Sequence, residues 1–171
     1  MQIKSLFFIL VIFQLAGCQS NKNGNTKELN KNGYSISYPS DLTLDESGVN
    51  SSEFILSTEK TDTTDNFVEN INLVIQNFTD RDIDLNTFVE ISVDQINSRG
   101  KLISNERFKK GDAIFQRLVY TITINKLNLK FIQYYFLENN KAYILTFTSE
   151  EDVFDKYSAE MEEIMQSFKL N

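Results

Sequence analysis

Four extended segments follow one another between Lys101 and Thr148 with almost nothing between them, and no other feature limits the fold as strongly. They are Lys101–Phe108, Ala113–Ile124, Leu127–Leu137 and Ala142–Thr148, rich in Ile, Tyr, Phe, Leu and Thr. The breaks are the short polar stretches Lys109–Asp112, Asn125-Lys126 and Glu138–Lys141. A parallel neighbour needs a crossover of about a dozen residues or more, whereas antiparallel neighbours need only a tight turn. The segment is therefore expected to be an antiparallel meander.

The elements around it follow from periodicity. Tyr34–Tyr38 alternates apolar and polar and ends at Pro39, the only proline. Phe54–Thr58 and Ile71–Phe78 also read as strands, separated by the polar stretch Glu59–Asn66. From Leu85 the period changes: Leu85, Phe88, Val89, Ser92, Val93 and Ile96 recur at helical spacing, with Gly100 just past the end. Asp84 is placed to cap that helix. Thr148-Ser149-Glu150-Glu151 reads as a capping box opening a second helix, whose apolar face is Val153, Phe154, Tyr157, Met161, Ile164, Met165 and Phe168. Strands interleaved with two amphipathic helices predict an α+β fold, a mostly antiparallel sheet with helices packed on it.

The N-terminal residues are of another kind. Lys4 precedes the apolar run Leu6–Phe13, which has the length of a signal-peptide core and about half that needed to cross a bilayer. Leu15-Ala16-Gly17-Cys18 resembles the bacterial lipobox, which implies cleavage before Cys18 and a diacylglyceryl group on its thiol. Residues 1–17 are thus expected to be a lipoprotein signal peptide, and 18–31, polar and without periodicity, a lipidated Cys and flexible tether. Residues 32–171 would then be a single domain. Stable anchoring needs two or more acyl chains, which a triacylated Cys18 would supply. Neither Gln19 nor Ser20 is the aspartate associated with inner-membrane retention, so the expected location is the periplasmic face of an outer membrane.

Certain words in the domain make it similar to the PsbP-like superfamily, which includes the nuclear Ran-release factor and DcrB-type lipoproteins. They are Gly33-Tyr34-Ser35-Ile36-Ser37-Tyr38-Pro39, Phe67-Val68-Glu69-Asn70-Ile71-Asn72-Leu73-Val74, the strand around Tyr134-Tyr135-Phe136, and Ser167-Phe168. The resemblance implies an α-β-α sandwich and proteins that act mostly by binding a photosystem, a GTPase or envelope partners. It does not imply an enzyme.

Residue inventory narrows the chemistry. The chain has no histidine, and its one cysteine is Cys18, so His-based and thiol-based catalysis and any intramolecular disulfide are ruled out. Acids outnumber bases 24 to 17, giving a formal net charge of −7, which repels nucleic acid and anionic lipid. Glu69, Glu90 and Asp94 are the carboxylates that a hydrolase would need, but Glu90 and Asp94 fall at i,i+4 on the polar side of the first helix. Asp80-Arg81-Asp82-Ile83-Asp84 begins like a calcium loop, yet Leu85 and Ile91 stand where that loop needs Gly and Glu. No metal and no cofactor are expected. Tyr134, Tyr135 and Phe136 put aromatics on both faces of one strand, chiefly as packing and otherwise as a ligand or partner surface. The expected function is a membrane-anchored, non-catalytic binding or accessory module for an envelope protein. The alternative is a carrier of a small apolar ligand or lipid, and a carboxylate hydrolase is third.

Overall fold

The computed structural model describes residues 25–61, 63, 67–78 and 83–171. Leu15, Ala16, Gly17, Cys18, Asp80 and Asp82 lie outside them. The described chain opens with a hairpin, β1 (Thr26–Lys31) and β2 (Tyr34–Pro39), joined by Asn32-Gly33. The expected tether running to Lys31 is therefore corrected, because the chain is already a strand from Thr26. Two features account for it: Leu29 is buried, and Gly33 at φ 109° supplies a turn conformation that side chains resist. A two-residue strand near the C-terminus, β10 (Lys169–Leu170), pairs with the other edge of β2.

The main sheet contains β3 (Thr43–Asp45), β4 (Phe54–Ser57), β5 (Asn70–Asn77), β6 (Gly100–Lys110), β7 (Ala113–Ile124), β8 (Leu127–Glu138) and β9 (Lys141–Glu150). Their order is β3-β4-β5-β9-β8-β7-β6, every neighbouring pair antiparallel. The expected meander is there, with turns tighter than the polar breaks suggested. Asn125-Lys126 and Asn139-Asn140 all have positive φ, between 51° and 72°, as the two-residue turns that match strand twist require.

Helices α1 (Leu85–Arg99) and α2 (Phe154–Ser167) cover opposite faces. Alternation along β8 shows the division: Ile132, Tyr134 and Phe136 face α2, while Phe131, Gln133 and Tyr135 face α1. The α2 side is the larger core, where Met161, Ile164 and Met165 meet Leu73, Leu145 and Phe147 and the β1–β2 hairpin closes the layer. The α1 side packs Phe88, Val89 and Ile96 on Leu118, Tyr120, Tyr135 and Ala142.

Asp84 caps α1 as expected, accepting a 2.8 Å bond from the Thr87 N–H. Gly100 is not a left-handed stop, since its backbone is extended and already belongs to β6. Any side chain there would meet Thr121 O at 2.1 Å, so the helix passes directly into the sheet only because the residue is glycine. The expected capping box at Thr148–Glu151 does not form. β9 continues through Glu150, Ser149 is fully buried and donates to Glu150 O, and a 3-10 turn at Glu151–Val153 leads into α2 without a side-chain cap. Burial and the ladder with β8 outweigh the local capping preference at these residues.

Candidate functional site

Between α1 and the sheet lies a cavity of about 610 Å³. Its floor carries Tyr120 of β7 and Gln133 and Tyr135 of β8, residues that share the α1 face through strand alternation. Phe88 and Ile96 hang over it from α1, and Gln76, Asn77 and Phe78 bound it at the end of β5. Gln95 and Arg99 stand at its edge on the last turns of the helix.

The floor is polar but ordered. The Tyr135 phenol donates to Gln133 Oε1, and Gln133 Nε2 donates to Thr146 Oγ1 at 3.0 Å. Phe88 meets the Tyr135 ring edge-on at 5.2 Å, which fixes the helix above it. Tyr120 stacks on Phe131 at 4.7 Å with its residue only 6% exposed, and its hydroxyl, which bonds no described residue, is not enclosed. Burial pushes the Tyr135 phenol up to about 12, and burial followed by the neighbouring Tyr135 raises Tyr120 as well. Both phenols are therefore neutral at physiological pH and offer one O–H donor each, that of Tyr120 being uncommitted.

Tyr134, Tyr135 and Phe136 do not form one surface. Tyr134 and Phe136 are packed in the α2-side core, Tyr134 donating to Glu162 Oε1 at 2.7 Å, and only Tyr135 reaches the cavity. The carboxylates Glu69, Glu90 and Asp94 do not line it: Glu69 is buried just ahead of β5, and Glu90 and Asp94 are exposed on α1. Among the described residues no cluster of three or more His, Cys, Asp or Glu is placed to hold a metal. No helix among them is long and apolar enough to cross a membrane.

Sequence reasoning passed over Tyr120, Gln133 and Arg99. The available signal was Gln133, an amide inside the apolar run Phe131–Phe136, whose burial demands partners.

A second exposed feature is the outer edge of β6, the last strand of the sheet and unpaired on that side among the described residues. It carries Lys101, Arg107, Lys109 and Lys110 against one acid, Glu106. Beside them Ile103, at a register shift, and Phe108 are 50% and 42% exposed, and Ile114 of β7 is 50% exposed.

No protein-family model matches the sequence, and no curated protein matches it. Solved structures do. The solution structure of cyanobacterial PsbP from Synechocystis sp. PCC 6803 is 14% identical and superposes with a TM-score of 0.67, covering 92% of this chain and 99% of that one. LpqN of Mycobacterium tuberculosis, described as involved in cell envelope biogenesis, is 11% identical with a TM-score of 0.63, covering 89% and 87%. A Pseudomonas aeruginosa protein of unknown function is 11% identical with a TM-score of 0.59, covering 84% and 96%. At these identities the agreement is one of architecture, and by that measure the chain has the PsbP-like fold.

Proposed function

We propose that this chain is a non-catalytic accessory module of the cell envelope that binds an envelope protein through the free edge of β6. The single observation behind the reading is that edge: eleven residues long, rich in cations on an acidic chain, and flanked by exposed Ile103, Phe108 and Ile114. An open edge offers a row of backbone donors and acceptors to an extended segment, with side-chain contacts supplying selectivity. Its four cations disfavour pairing with the same edge of a second copy and favour an acidic segment.

The PsbP-like fold supports a binding role, as does the envelope role described for LpqN. The location in this reading is the periplasmic face of an outer membrane, with the chain held by acylated Cys18 after removal of residues 1–17. The test is recovery of partners from cells by the tagged full chain, compared with Arg107→Glu/Lys109→Glu. Charge reversal should reduce recovery of the wild-type partner by about tenfold, and equal recovery would contradict the assignment to β6.

A second reading, a carrier of a small ligand, is favoured by the cavity under α1, whose volume lies within the range of about 300–1,000 Å³ typical of ligand pockets.

A further inference from the structure

We infer that the cavity under α1 binds an amphipathic carboxylate, its apolar body between Phe88, Ile96 and Ile144 and its head between Arg99 and the Tyr120 hydroxyl. This rests on the carrier reading and gives it a ligand class.

Three observations carry it. First, Tyr120 lines the cavity with its ring buried, and its hydroxyl, which bonds no described residue, is not enclosed and so stays open to the cavity. A hydroxyl held by water alone can exchange that water for an acceptor on a ligand, so this one is a donor available to the cavity. Second, in a chain where acids outnumber bases 24 to 17, the described lining contains no Asp or Glu and one cation, Arg99. Arg99 forms no ion pair among the described residues, whereas Arg117 on the opposite face has two acidic partners. Third, the two groups lie at the same end of the cavity. A Cβ on Gly100 would meet Thr121 O at 2.1 Å and Ile122 Cγ1 at 2.7 Å, so the end of α1 rests on β7 at Thr121-Ile122. Arg99 is the residue before that contact, and Tyr120 lies one alternation from Ile122 on the same face.

The rest of the lining suits an apolar body with hydrogen-bonding capacity near it. Phe88, Ile96, Ile122 and Ile144 provide the apolar contact, and Tyr135 and Gln133 already bond within the sheet, to Gln133 and Thr146 respectively. Guanidinium and carboxylate match in geometry as well as charge. A purely apolar ligand would displace water from the Tyr120 hydroxyl without replacing its bond, and a cation would face Arg99 with no acid among the described lining residues to offset it.

The experiment is a fluorescence titration of the full chain in phosphatidylcholine nanodiscs, with protein-free discs as the blank. The probes are naphthoate and its neutral counterpart naphthalenemethanol. Naphthoate should bind saturably with one site per chain and more tightly than the alcohol. Arg99→Gln should weaken naphthoate by about tenfold and leave the alcohol unchanged, with Arg99→Lys recovering part of the loss. Tyr120→Phe keeps the ring on Phe131 and should weaken naphthoate by about fivefold. If Tyr120→Phe fails to fold, the exposed Arg99 series decides alone. Equal binding of the two probes, unaffected by Arg99→Gln, would overturn the carboxylate assignment while leaving the carrier reading in place. No saturable binding of either probe would overturn both.

Discussion

Replacing Glu162 by Gln tests how α2 is held on the sheet. Glu162 accepts two bonds from Arg117, Nε at 2.6 Å and a terminal nitrogen at 3.1 Å, and a third from the Tyr134 phenol at 2.7 Å. The side chains of Arg117 and Glu162 are 19% and 22% exposed, so water screens the pair only partly. Burial alone would raise the Glu162 carboxyl, but the bonds from Arg117 and Tyr134 outweigh it and hold the group below the usual carboxylate range. Removing one partner of a fully buried pair costs about 3–5 kcal/mol, and a charge-assisted hydrogen bond contributes about 1.5–3. With the partial exposure found here, Glu162→Gln should destabilise by about 2–3 kcal/mol, or about 5–10 °C in Tm for a domain of this size. Urea and thermal unfolding at neutral pH give the value, with the exposed neighbour Glu163→Gln as the control. A cycle with Arg117→Met should show a coupling above about 1 kcal/mol, because the double variant no longer leaves a charge unpaired. Since the folded-state carboxyl lies below its unfolded value, this stabilisation is present above the unfolded pKa and is lost as pH falls through the folded one. The difference between wild type and Glu162→Gln should therefore shrink in acid. A variant no less stable than Glu163→Gln, with coupling under about 0.5 kcal/mol, would refute the clamp.

Gly100→Ala should destabilise by about 3 kcal/mol in the same unfolding assay, because its Cβ would overlap Thr121 O at the junction of α1 and β6. Asp84→Ala should lower stability through loss of the cap, read by unfolding and by faster amide exchange at Thr87. Bonds from Thr87 hold Asp84 below the usual carboxylate range, so its contribution too is present above the unfolded pKa and fades in acid. The proposed acylation of Cys18 predicts that wild type fractionates with the membrane and Cys18→Ala with the soluble fraction of cells, as immunoblotting of the fractions would show.

Much of this fold can be read from local sequence because the strongest signals are local. Short breaks between long apolar runs fix the meander, and helical spacing with Asp84 ahead of it fixes α1. The first hairpin was missed because β1, Thr26–Lys31, buries only Leu29 and carries no alternation. Its signal was the Asn32-Gly33 dipeptide, a hairpin turn that composition had obscured. The misread start of α2 has the opposite cause: Thr148 and Glu151 suit a capping box, but pairing of Thr148, Ser149 and Glu150 with Phe131, Lys130 and Leu129 keeps the chain in the sheet through Glu150. The cavity was least legible. Its residues come from α1 and four different strands, and Tyr120 and Arg99 come to line one cavity only because α1 folds back over the sheet. Tyr134-Tyr135-Phe136 signalled two buried faces, but which face kept an opening depends on how each helix packs.

The role of β6 is tested most directly by photo-cross-linking in living cells, with a photoreactive residue at Ile103 on the edge strand and, separately, at exposed Asp94 on α1. The expected result is one envelope protein captured from position 103, joined through an acidic extended segment, and little from position 94. Equal capture from both positions, or none from position 103, would contradict a docking edge on this strand.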